Sequence, residues 1–200
     1  LDLSNDEYAR QMGAMFSAFS QVAANNPFAQ FPVAYTAQEL TTVSDDNYLI
    51  TTPYTKRLVS QDRVNQSAAL LITSVGKARE LGIAEQQWIF PHGFAQSTEH
   101  PLFQRPDVST SLAMQAVMKN TLAMANTSID DIDLIDIYSC FPCAVSTVCE
   151  ALNLPTDGSR SLTLTGGLPF FGGPGNNYSM HGLAEMSRQL RDKPAARGLL

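Results

Sequence analysis

The residues best suited to chemistry lie in the last third of the chain. Gly166 and Gly167 open a turn that continues through Gly172, Gly173, Pro174 and Gly175 to Asn176 and Asn177. Glycines there let the backbone take positive φ and come close to a ligand. The helix expected after the turn directs its unpaired N–H groups back towards it, an arrangement suited to an anion or a developing oxyanion. No Gly-Lys-Ser/Thr follows and the G-x-G-x-x-G order is missing, so neither a P-loop nor a dinucleotide turn is expected. A tight strand-to-helix connection with no ligand is the plain alternative.

A second feature is Cys140-Phe-Pro-Cys143, after a strand and at a helix start. That context suits a dithiol pair whose thiol pKa is lowered by the helix N-terminus. Small core residues on a helix are the plainer reading, and the preferred one for Cys149. Of the three histidines, His92 and His100 stand beside prolines in a loop-like stretch. His181 falls within the helix after the glycine turn, facing either a pocket or a core partner. No Cys/His spacing matches a zinc site, and Asp130, Asp131, Asp133 and Asp136 mostly alternate around a strand, so no metal is expected.

These corners need elements to hold them. Ser4 and Glu7 form a capping-box pattern ahead of a helix whose apolar face runs Tyr8, Met12, Met15, Phe16, Phe19, Val22 and Ala23. Residues 27–66 read as an irregular excursion packed against something else. Strands are expected at 68–73, 88–90, 133–138, 161–165 and from about 196. Helices are expected at 75–81, from Asp107 or Ser109 to Asn126, from Pro142 to Leu152, and over 176–191. Alternation of this kind implies an α/β layered fold, with ligands beyond the carboxyl ends of strands. The turns after 133–138 and after 161–165 both meet that description.

Composition narrows the function classes. A net charge of −6 and no Lys/Arg run argue against nucleic-acid binding. No apolar run spans a membrane. Asp2, Asp6 and Glu7 stand where a secretory signal would be basic, and three clustered cysteines make no disulfide framework. A cytoplasmic location is the expectation. The chain opens on Leu1 and stops as a strand begins at Arg197–Leu200, so a fragment of a longer polypeptide is expected.

Two blocks resemble the C-terminal half of the thiolase superfamily, above all the sterol-carrier-type thiolases and their bacterial thiolase-like relatives. Asp136–Phe141 stands where those proteins have a strand followed by Asn-Glu-Ala-Phe or His-Asp-Cys-Phe. Thr165–Gly175 stands where they have Gly-Gly, a spacer and Gly-His-Pro-x-Gly. Pro53–Arg57 with Asn65–Ser74 resembles the end of the thiolase N-terminal half. The resemblance implies a partial thiolase-like fold, a mixed sheet with helices on both faces. It divides the chain into a loop or cover region (1–55), the end of the N-terminal half (56–85) and a truncated C-terminal half (86–200).

It also implies acyl transfer from a coenzyme A thioester as substrate, with no bound cofactor and a homodimer when full length. Tyr138, Ser139, Cys140 and His181 are the implied catalytic candidates. Gly166, Gly167, Gly172, Gly173, Pro174, Gly175, Asn176 and Asn177 form the implied substrate or oxyanion loop. The departures matter, because Gly173 takes the place of the histidine and Tyr138 and Ser139 replace the polar pair. The nucleophilic cysteine of thiolases belongs to their first half. The segment alone is therefore expected to be inactive. The alternatives are a non-catalytic acyl-CoA or partner-binding module and a dithiol oxidoreductase built on Cys140 and Cys143.

Overall fold

The computed structural model describes residues 3–200; Leu1 and Asp2, the latter one of the acids set against a signal peptide, lie outside the described residues. Helix α1 spans Asn5–Ala24 and begins as its sequence dictates. The Ser4 hydroxyl accepts from the Glu7 N–H at 3.3 Å, and the Glu7 carboxylate accepts from the Ser4 N–H at 2.8 Å. Met12, Met15, Phe16, Phe19 and Ala23 are buried along one face. Phe16 stacks on Phe19 at 5.1 Å and meets Phe170 edge-on at 6.4 Å.

The excursion after α1 is organised by polar residues. Thr36 and Glu39 form a second capping box that starts α2 (Ala37–Thr41). Buried Asn47 donates to the carbonyls of Glu39, Leu40 and Thr42 and accepts from the Arg57 N–H. One amide thereby closes the loop onto α2. The antiparallel pair β1 (Leu49–Thr51) and β2 (Tyr54–Thr55) projects beyond it.

Residues 68–73 and 88–90 do not form the expected strands. Leu71 and Ile72 are 76% and 88% exposed, and no strand among the described residues lies beside them. β-Propensity without a partner strand leaves the segment extended and unpaired. Between these segments lies α3 (Val75–Glu80), capped by Ser74 and ended at Gly82 with φ +67°. Helix α4 runs Leu112–Met124, capped by Ser111 rather than by Asp107 or Ser109. The Asp107 carboxylate instead accepts from the Ser109 N–H and hydroxyl in a local turn.

The core sheet is small. β3 (Leu134–Ile135) pairs in parallel with β4 (Gly198–Leu199), and the Asp136 N–H donates to the Leu199 carbonyl at 3.0 Å. On the other side of β3, the Ile137 N–H donates to Leu162 O at 3.0 Å. The expected strand at 161–165 is thus present as an extended neighbour. It is not a regular ladder, because the Leu164 and Thr165 amides are drawn to Asp136.

Side chains alternate across such a strand. Leu134 and Leu164 pack with Met186 of α6 (Tyr178–Asp192), while Ile135 and Ile137 join the core containing Val145 and Val148 of α5 (Pro142–Leu152). Helices cover both faces, and the fold is the layered α/β type. Pro142 occupies the first turn of α5, where its missing N–H costs nothing.

Candidate functional site

The corners after β3 and before α6 lie side by side. The Leu168 N–H donates to the Ser139 hydroxyl at 3.1 Å, and Ser139 is fully buried. A Cβ on Gly167 (φ +79°) would come within 2.6 Å of both that hydroxyl and the Phe19 ring. A Cβ on Gly166 would run into the Ala23 backbone, 2.6 Å from its Cα. These glycines therefore allow close approach to the protein's own backbone and side chains. Gly166–Gly173 is buried throughout; beyond it Gly175 and Asn176 are exposed, and a Cβ on Gly175 would stand in open space.

A carboxylate fixes both corners from behind. Asp136 Oδ2 accepts from the backbone N–H groups of Leu164 (2.7 Å) and Thr165 (3.1 Å) and from the Thr163 hydroxyl (3.2 Å). Its Oδ1 accepts from the Tyr178 hydroxyl at 3.1 Å, and that phenol oxygen lies 2.7 Å from Thr165 Oγ1. Burial pushes the Asp136 carboxyl above its usual range, against the downward pull of these donors. Burial, followed by the neighbouring Asp136, also pushes the Tyr178 phenol well up.

From Tyr178 an edge-to-face aromatic row extends both ways. Tyr138 lies at 5.5 Å on one side; Phe171 lies at 6.2 Å on the other, with His181 at 5.2 Å beyond it. The four catalytic candidates are consequently separated. Tyr138, half exposed, lines a cavity of about 280 Å³ with Met114, Met118, Val148 and Leu199. His181 lines a different cleft of about 460 Å³ with Asn26, Gln66, Glu185 and Arg188. Ser139 and Cys140 line neither. Burial pushes the His181 imidazole below its usual value, and its Nε2 is 3.4 Å from the Asn177 amide nitrogen. Asn177 immediately precedes α6, and no side chain caps that helix.

The cysteines differ in setting. Cys140 is half-buried against Leu168, Phe171 and Tyr178, and burial pushes its thiol up. Cys143 is exposed, and Cys149 is buried with its thiol pushed up to about 11. Nearby, the Tyr8 and Tyr54 hydroxyls lie 3.4 Å apart, and the Tyr54 ring packs on Phe141 at 5.5 Å.

A segment that sequence reasoning missed threads between the corners. The Ser60 N–H donates to the Cys140 carbonyl at 3.0 Å and the Gln61 N–H to the Leu168 carbonyl at 3.2 Å. The Gly173 N–H donates to the Gln61 carbonyl at 2.7 Å. The Gln61 amide ties back to the Lys56 and Val59 carbonyls. A Cβ at Gly173 would overlap the Ser60 hydroxyl. Nothing local in the sequence announces this strap, whereas Asp136 was visible as one acid inside the apolar run Leu134–Ile137.

No protein-family model matches the chain, and no curated protein matches it significantly. Solved structures do. A monomeric SCP2-thiolase-like protein type 1 from Mycobacterium smegmatis superposes with a TM-score of 0.91 and 45% identity over 96% of this chain. The chain spans 42% of that protein's length. An Ltp2–ChsH2(DUF35) aldolase superposes with a TM-score of 0.69 at 17% identity, over 94% of this chain and 52% of its own, a likeness of fold. The monomeric state of the Mycobacterium protein gives the expected homodimer no support. Among the described residues, no helix is long and apolar enough to cross a membrane.

Proposed function

Because the chain belongs to the thiolase superfamily, among its SCP2-thiolase-like proteins, we propose that the full-length protein binds an acyl-CoA thioester at the junction of the two corners without histidine-assisted thiolysis. One observation carries this reading. The space a side chain at 173 would take is filled by Ser60, on a strap hydrogen-bonded to both corners. By the resemblance, position 173 is where thiolases carry a histidine; in this chain it is a glycine with the Ser60 hydroxyl packed against it. Loss of one oxyanion donor costs about 10²–10³ in rate. In this reading residues 1–55 cover the site, 56–85 end the N-terminal half, and 86–200 form the truncated C-terminal half.

An acyltransferase reading is favoured by Tyr138, whose half-exposed phenol stands where the polar pair of active relatives is expected. In the dithiol reading Cys140 should have a lowered pKa, whereas burial raises it. Isothermal titration of full-length protein with acetyl-CoA and free CoA, alongside a turnover assay, tests the proposal. Binding without turnover supports it. Turnover that Tyr138→Phe abolishes favours the acyltransferase, and no binding of either ligand rejects both.

A further inference from the structure

We propose that the apolar cavity beside Tyr138 takes the aliphatic chain of the bound thioester and limits how long that chain can be. The inference rests on the acyl-CoA reading and adds the acyl length, which that reading leaves open.

The cavity lies where the order of strands reverses. From β3 the chain passes through α5 to the extended segment 161–165 on one side, then returns through α6 as β4 on the other. Helices α5 and α6 sit on opposite faces of this sheet. Crevices beyond the carboxyl ends of strands, at such a reversal, are where open α/β layers hold small ligands. Here Tyr138 follows the end of β3, Leu199 closes β4, and both line the cavity of about 280 Å³.

Helices α4 and α5 supply the rest of the wall. Although apolar in sequence, α4 buries no residue outright; Met114 and Met118, one turn apart, are only partly buried against the core and line the cavity. Ala144 and Val148, one turn apart on α5, line it too. Methionine side chains are unbranched and adapt to the shape of an apolar guest. Walls of this kind offer water few partners and favour hydrocarbon.

Tyr138 joins this cavity to the thioester site. It belongs to the corner after β3, its ring packs edge-on against Tyr178 at 5.5 Å, and its phenol is half exposed. A thioester held by that phenol can send its hydrocarbon inward between α4 and α5. The cleft beside His181 is the poorer choice, because a hydrocarbon there would strip water from Glu185, Arg188 and the amide side chains. Volume sets the limit. At about 30 Å³ for a group the size of a water or a methylene, the cavity holds roughly nine of them. A straight chain of medium length fits.

The test measures binding of free CoA and of a straight-chain series from acetyl- to hexadecanoyl-CoA to full-length protein by isothermal titration, below micelle-forming concentrations. Affinity should rise about fourfold per methylene, the worth of burying one, and level off near octanoyl- to decanoyl-CoA. Ala144→Leu, which intrudes on the cavity, should bring the break to shorter chains. Met118→Ala, which enlarges it, should move the break to longer ones. Opposite shifts of this kind cannot come from a general loss of folding. An affinity that is flat across the series, a rise with no break, or a break that neither variant moves overturns the assignment while leaving CoA-ester binding intact. A flat series is also the result if polypeptide outside this segment fills the cavity. Failure of every CoA ligand to bind the wild-type protein overturns the underlying reading as well.

Discussion

Asp136 shows how much one side chain organises. Its two oxygens collect two backbone amides, the Thr163 hydroxyl and the Tyr178 phenol, with no cation in the set. Asp136→Ala would leave these buried donors unpaired and should cost at least about 3 kcal/mol by urea denaturation. Asp136→Asn should cost clearly less. Its carbonyl can still accept from the two amides while its NH₂ donates to Tyr178, whose hydroxyl turns towards Thr165. His181 has a pH signature. Burial lowers its pKa in the fold, so the unfolded chain takes up the proton more readily. The stability it contributes is present above the unfolded value of about 6.5 and is lost as pH falls through the lowered folded value. Urea midpoints between pH 7.5 and 5 should fall less steeply in His181→Gln than in wild type.

Elements end where local chemistry says so, and fail where they need distant partners. Helix α5 stops at Asn153, held at φ +53°. Glycine adopts this conformation without a Cβ penalty, so Asn153→Gly should raise stability by up to about 1 kcal/mol in thermal melts. The same locality explains what was legible. Ser4 with Glu7, Pro142, and Gly82 mark helix ends through contacts within four residues, and the expected α1, α3 and α5 lie at the expected places. Strands at 68–73 and 88–90 depended on neighbours that no local pattern can supply. At the site, the meeting of the two corners was readable from the order of strands and turns. The strap at Val59–Gln61 was not, since its place depends on hydrogen bonds to residues about 80 to 110 positions away.

At the scale of the whole chain, burial is uneven. The buried cluster joins α1, β3, α5, Phe170 and Leu199, whereas Leu71, Ile72, Phe94 and Phe103 stand 76–100% exposed on the outer segment. Trp88, the sole tryptophan, belongs to that outer segment. Its indole N–H donates to the Ile83 carbonyl at 3.1 Å, and its ring sits beneath the Arg79 guanidinium and against Phe90. Its emission will therefore report a local event. In a denaturant series the fluorescence change should come at lower concentration than the loss of far-ultraviolet dichroism, which follows α1, α5 and α6; coincident curves would mean that the periphery melts only with the centre. A single optical probe would then underrate how firmly the two corners are held, and a second chromophore, such as a tryptophan placed at Phe170, would be needed to time the opening of the interior.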